Sequence, residues 1–321
     1  MKPKIVYMGT PEFAVAPLNA LLENGYDVAV VVTVPDKQSG RGLKINESAV
    51  KKFAVEKNLP LLQPVSLKDE GFLQELSKIG ADLFIVVAFR MLPKIVWSMP
   101  KMGTFNLHAS LLPQYRGAAP INWAIINGEK KSGITTFLID EEIDTGRILM
   151  QREVDIEEEE TVGTLYDKLM EKGATLVVET VKGLMEKSLE PFAQPAEELA
   201  KLHSAPKITK ELCRIEWEKP ALQIDRLIKG LSPYPAAFTT LSNGKKSTDL
   251  KIYKAATVEC EMEKCGSIRP GSIKSDNKSY LEIGCGEGTL RLLEVQAAGK
   301  KRMNIKEFLA GFREAESYKA I

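Results

Sequence analysis

The feature that most constrains this chain is an alternation, across its first 150 residues, between short apolar runs and amphipathic stretches. Residues 5–8, 28–34 and 83–88 are almost uninterrupted in apolar side chains, the pattern of strands buried on both faces. Between them, residues 14–22 and 47–57 space their apolar positions at a helical period. This alternation predicts an α/β fold, a doubly wound (Rossmann-like) parallel sheet with helices on both faces. Ligands of such sheets bind beyond the carboxyl ends of the strands. The turn after the first run is Gly9-Thr10-Pro11-Glu12 rather than G-x-G-x-x-G, so the dinucleotide fingerprint is missing.

A chain of 321 residues exceeds one ordinary core and predicts two domains. Residues 161–187 read as a helix, with Leu165, Leu169, Leu176, Val177, Val181 and Leu184 on one face. Pro191 and Pro195 then stop regular structure. The expected division is a catalytic domain over 1–190, a linker over 191–206 and a C-terminal domain over 207–321. Beyond the linker, a helical stretch at 221–229 precedes short β-like runs at 237–241, 250–255, 271–273, 280–283 and 289–295. That density of short strands predicts a small OB-like barrel, of the kind that binds oligonucleotides. Residues 281–288 imitate the glycine-rich loop of an S-adenosylmethionine site. Too little chain follows to build the parallel sheet that loop requires, and Leu281, Ile283, Leu290 and Leu292 alternate as in a hairpin.

No apolar run approaches the roughly 18 residues of a membrane span, and the first residues carry no signal-peptide pattern, so a cytoplasmic protein is expected. Cys213, Cys260, Cys265 and Cys285 show neither C-x-x-C spacing nor a histidine cluster, which argues against a zinc site and for reduced thiols. Net charge is +1 but unevenly divided. Residues 1–206 hold 23 Lys and Arg against 28 Asp and Glu, whereas residues 207–321 hold 21 against 15. A basic C-terminal part suits a polyanionic partner, although charge alone favours a solvated surface. No heptad pattern appears, and the monomer that the resemblance described below implies meets no contrary signal.

Histidine is scarce: only His108 and His203 occur. His203 lies in the linker, where a solvated side chain is expected. His108 closes a strand-like segment, and residues two apart on a strand share a face, so Asn106 stands beside it. An amide and an imidazole at a strand end suit acyl transfer, one donating to an oxyanion and the other moving a proton. Taken alone, such a pair more readily satisfies backbone groups beneath a loop. The Pro- and Gly-rich segment 110–121 around Arg116, read as unpaired, and the acidic turn 138–146 that could return Asp144 to the same edge to orient the imidazole, add weight to the catalytic reading.

Three segments, Phe105-Asn106-Leu107-His108-Ala109-Ser110-Leu111-Leu112-Pro113, Tyr115-Arg116-Gly117-Ala118-Ala119-Pro120-Ile121 and Ile143-Asp144-Thr145-Gly146, resemble the folate-dependent formyltransferases. The likeness reaches both ends of the chain, from Gly9-Thr10-Pro11-Glu12-Phe13-Ala14 to Gly299-Lys300-Lys301-Arg302-Met303. It implies 10-formyltetrahydrofolate as one-carbon donor and initiator methionyl-tRNA as acceptor, the methionine amine attacking the formyl carbon. It also implies that Asn106 and His108 stabilise and protonate a tetrahedral intermediate, with Asp144 supporting the histidine. Ser110, Leu111, Leu112 and Pro113 would line the folate site, and backbone groups around Phe89, Arg90 and Leu92 would hold the pterin. There the chain departs from many relatives, which carry Tyr-Gly and a longer apolar run before the proline. The loop 36–44 resembles a segment that relatives insert at the tRNA acceptor end. Arg41 is the first candidate contact, with Lys37 and Lys44 beside it and Lys207 and Lys210 at the start of the basic domain. The same centre on an amino-sugar nucleotide or glycinamide ribonucleotide is the nearest alternative; a nucleic-acid-binding protein with a vestigial centre is the other.

Overall fold

The computed structural model describes residues 2–39, 44–195, 202–258 and 269–321. Contacts divide the chain into two compact units. One holds residues 1–120, 131–155 and 166–205, and the other holds 121–130, 156–165 and 206–321.

In the first unit the apolar runs become β1 (Lys4–Gly9), β2 (Asp27–Val32), β3 (Leu61–Leu62), β4 (Leu83–Val87) and β5 (Thr104–His108), all parallel. They are joined through helices that include α1 (Val15–Glu23), α2 (Ala49–Glu56) and α3 (Glu70–Ile79). Ser48 and Asp69 cap α2 and α3, each side chain accepting a free backbone N–H of the first turn. Two long strands, β6 (Lys131–Leu138) and β7 (Ile148–Asp155), extend the sheet antiparallel, so the order β7-β6-β5-β4-β1-β2-β3 is mixed and not wholly parallel. These two were not anticipated. Lys131 and Glu153 pair across the exposed ends of β6 and β7, while residues 132–137 are buried, which blurs the alternation expected of antiparallel strands.

Strand order reverses between β1 and β4, the switch point beside which such sheets bind ligands. One sheet face, with Val6, Met8, Val32, Phe84 and Val86, packs on Phe72 and Leu76 of α3. The long helix α4 (Val162–Glu186) lies against the sheet on the Leu107 side: a Cβ on Gly173 would come within 2.8 Å of Leu107. Asn106 and His108 alternate with Leu107 and therefore face the other way.

In the second unit α5 (Ala221–Leu231) packs with β8 (Ala237–Ser242), β9 (Ser247–Thr257), β10 (Ile273–Ser275), β11 (Leu281–Gly284), β12 (Thr289–Ala297) and β13 (Lys319–Ala320). The sheet runs β10-β11-β12-β9-β8-β13, and a bridge between Ser272 and Lys319 brings its two ends together as a nearly closed antiparallel barrel. Closure removes the unpaired edges that would otherwise template association. The imitation cofactor loop is the β11–β12 hairpin, with Glu282 opposite Arg291. Ile224, Ile228, Leu250, Leu281 and Leu292 fill the interior, with Cys213 and Cys285 buried and unoxidised among them. Cys260 and Cys265 lie outside the described residues. No helix among the described residues is long and apolar enough to cross a membrane.

Candidate active site

Asn106 and His108 sit at the carboxyl end of β5, and His108 is only 7% exposed. Its Nε2 lies 2.9 Å from the main-chain oxygen of Tyr115. A carbonyl oxygen only accepts, so Nε2 carries the hydrogen and the neutral ring presents its lone pair at Nδ1. That lone pair faces Asp144, whose Oδ2 is 3.7 Å away. Two acceptors opposed at this distance attract only after a proton arrives at Nδ1. The sequence reading expected Asp144 to orient the imidazole; Tyr115 O holds the ring at Nε2, and the Asp144 carboxylate faces it across Nδ1.

Asp144 reaches this position through the acidic turn after β6. Its backbone is left-handed (φ 57°), a conformation that Asp tolerates better than most residues. Asp140 closes the turn by accepting the Thr145 hydroxyl at 2.8 Å, and Gly117 N–H donates to Asp144 Oδ2 at 2.9 Å. Gly146 is required sterically, because a Cβ there would fall 1.6 Å from the Leu138 carbonyl oxygen.

Asn106 is half-buried, and its Oδ1 is enclosed without a hydrogen-bond partner. Arg90 Nε shares this property, and both belong to the expected site residues. A buried polar atom without a partner costs about 1–3 kcal/mol. Such atoms are natural points for a ligand to complete.

The loop after His108 is built from inside. Thr135 of β6, fully buried, donates its hydroxyl to Ser110 O at 2.7 Å and accepts from Leu112 N–H at 3.2 Å and Gln151 Nε2 at 3.0 Å. Ser110 spends its own hydroxyl on Gln114 O at 2.6 Å, and Leu112 packs with Phe137 and Ile148. Ser110 and Leu112 thus shape the loop, while Leu111 and Pro113 stay partly exposed. In the divergent segment, Arg90 donates to Val65 O at 2.8 Å and to Pro64 O, and its guanidinium lies 5.5 Å from the Phe89 ring centre. Burial lowers the affinity of that guanidinium for its proton. Leu92 points into the sheet core.

Two sequence expectations are corrected. Arg116, read as unpaired, donates to Gln194 Oε1 from Nε at 3.2 Å and from Nη2 at 2.6 Å. His203 is exposed but not merely solvated: its main-chain oxygen accepts Tyr115 N–H at 2.8 Å, and its Nδ1 is 3.2 Å from Tyr115 Oη. The stretch read as linker lies along this site. Phe192 bridges to Ile148, and Ser204–Ala205 pairs in parallel with Arg116–Gly117. Gln194 was missed because one polar residue between prolines carries no periodic signal.

The expected tRNA contacts belong to both units. Lys37 is exposed at the start of a hairpin of Lys37–Ser39 with Lys44–Asn46, and Arg41 lies outside the described residues. At the hairpin's base Lys51 pairs with Asp36 and Glu47, and its hydrogen bond holds the Asp36 carboxyl below its usual range. Lys207 and Lys210 are exposed in the second unit.

A mixed sheet bearing Asn, His and Asp at its ligand edge, with a separate antiparallel barrel, has a counterpart among known proteins. The chain belongs to the formyl transferase family: residues 2–181 match its formyl transferase model and residues 207–313 its C-terminal domain model. Within that family it falls among the methionyl-tRNA formyltransferases. It is 52% identical to the one from Parabacteroides distasonis over 98% of this chain and 97% of that one. To the one from Flavobacterium johnsoniae it is 50% identical over 97% and 96%. Among solved structures, the N-formyltransferase from Helicobacter canadensis in complex with folinic acid and dTDP-3-aminofucose shares the fold (TM-score 0.66, 20% identity, 94% of this chain and 100% of that one). So does HypX from Aquifex aeolicus in complex with tetrahydrofolic acid (TM-score 0.65, 20% identity, 98% of this chain and 48% of that one).

Proposed function

We propose that this enzyme transfers the formyl group of 10-formyltetrahydrofolate to the amino group of initiator methionyl-tRNA. The observation that carries the reading is near-complete coverage, at 52% identity, by a relative of that name. The residues fit the donor: Asn106 Oδ1 and Arg90 Nε are enclosed polar atoms still without partners, and the loops 88–92 and 108–113 leave the carboxyl ends of adjacent strands.

In the reaction a bond forms between the methionine nitrogen and the formyl carbon, a tetrahedral centre appears, and the bond from that carbon to the folate nitrogen breaks. The amine loses one proton and the folate nitrogen gains one. His108 takes up the proton at Nδ1, where Asp144 faces the resulting cation, and returns it to the leaving nitrogen. Asn106 directs its side-chain N–H at the negative oxygen of the tetrahedral centre. Arg41, Lys37, Lys44, Lys207 and Lys210 would neutralise tRNA phosphates from outside this centre.

The test offers purified enzyme 10-formyltetrahydrofolate with methionyl-tRNA, with an amino-sugar nucleotide or with glycinamide ribonucleotide, and measures the formylated product. Formylmethionyl-tRNA is expected. Transfer to one of the small amines alone would overturn the reading. Arg41→Ala should weaken use of methionyl-tRNA and flatten its salt dependence.

A further inference from the structure

A glutamine side chain has two N–H donors and two oxygen lone pairs, and Gln194 uses all four within the catalytic unit. Its Nε2 donates to the main-chain oxygens of Asp144 and Gly146, each at 2.9 Å. Its Oε1 accepts from Nε and Nη2 of Arg116, at 3.2 and 2.6 Å. The neighbours fix which end is which. Reversing the amide would set an oxygen against two carbonyl oxygens and an NH2 group against a guanidinium.

We infer that Gln194 is a positioning residue for the formyl-transfer step, holding the Asp144 carboxylate in register with His108; this rests on the formylation proposed above. It acts on both supports of that carboxylate. Directly, it fixes the backbone of Asp144, which must remain at φ 57° to turn its side chain toward the ring. Through Arg116 it steadies the adjoining Gly117, whose N–H is the donor to Asp144 Oδ2. The Nδ1 to Oδ2 separation of 3.7 Å leaves little tolerance, because a displacement of about 1 Å at a catalytic group can cost on the order of a hundredfold in rate. A residue beyond α4, outside every motif that carries the chemistry, thereby sets the geometry of the charge partner.

Two variants separate positioning from mere packing. Gln194→Glu keeps acceptors for Arg116 but opposes an oxygen to the two carbonyls; Gln194→Met keeps the volume and removes all four hydrogen bonds. Each should lower kcat for methionyl-tRNA formylation at least tenfold in the folded variant, with both substrate KM values within about threefold, as residues acting through the transition state do. Gln194→Met in an Asp144→Asn background should then add almost nothing, because residues that act through one another are not additive. Unchanged kcat in folded Gln194→Glu, or full multiplication of the two effects in the double variant, would overturn the assignment. Should Gln194→Met not fold, Gln194→Glu in the Asp144→Asn background supplies the same cycle. A wild-type enzyme that formylates only another amine would defeat the substrate reading alone, and the same variants would be scored on that amine.

Discussion

His108 gives its Nε2 hydrogen to the main-chain oxygen of Tyr115 at 2.9 Å, and Asp144 stands across the ring, 3.7 Å from Nδ1. In a Ser-His-Asp triad the carboxylate both selects the tautomer and stabilises the cation. Here the two positions are held by different groups, and in the proposed mechanism those duties are separated. Asp144→Asn should therefore leave the imidazole in place and remove only the charge that faces it. Loss of kcat on the order of 10²–10³ is expected, below the roughly 10⁴ that follows a tautomer error, with KM for both substrates nearly constant. His108→Ala should cost 10²–10⁴ and leave tRNA binding unchanged. A larger loss for Asp144→Asn than for His108→Ala, by rapid-quench single turnover, would refute this division.

Gly146 offers a steric test of the turn that carries Asp144. A Cβ would lie 1.6 Å from the Leu138 carbonyl oxygen, and main-chain atoms yield only by moving together. Gly146→Ala should displace the turn, lower kcat at least a hundredfold and destabilise the unit by roughly 2–4 kcal/mol, within the range of backbone strain and overpacking. Thermal unfolding together with turnover would check both. An alanine variant of wild-type activity would show that the turn does not set Asp144.

The parts of this molecule legible in its sequence are those with a local signal. Buried strands such as 83–87 declare themselves by uninterrupted apolar residues, and α4 by its spacing from Leu165 to Val181. Asn106 and His108 follow from the two-residue period of a strand. What was illegible is relational. β6 was missed because a strand buried at every position from 132 to 137 lacks alternation, and Gln194 because its partners lie 48 to 78 residues away. Orientation of His108 by Tyr115 O was equally hidden, since a main-chain oxygen has no residue type.

Burial also gives the barrel an alkaline limit. Enclosure between β11 and β12 pushes the Cys285 thiol up to about 11 from an ordinary 9, and the Cys213 thiol is raised by burial too. The folded chain therefore keeps a proton that the unfolded chain releases first. Stability from this source is complete below pH 9 and is lost as pH rises toward 11, by about 2–3 kcal/mol at the upper end for Cys285. Urea unfolding at pH 8 and pH 10.5, on wild type and Cys285→Ala, should show a smaller loss in the variant. Equal losses would contradict this cause.

Thr135 tests whether the loop 110–113 is shaped for the folate donor. Its hydroxyl donates to Ser110 O and accepts from Leu112 N–H and Gln151 Nε2, its full capacity. Thr135→Val keeps the volume but strands Ser110 O and Leu112 N–H in a buried place, whereas Gln151 retains the Leu112 oxygen at 2.9 Å. About 1–3 kcal/mol per orphaned group is the expected cost. Because these groups belong to the loop and not to the reacting centre, the burden should fall on donor binding. KM for 10-formyltetrahydrofolate should rise about tenfold, KM for methionyl-tRNA should hold, and Thr135→Ser should restore both. If Thr135→Val instead lowers kcat with the donor KM unchanged, the loop's order serves the chemistry of β5 and not the folate.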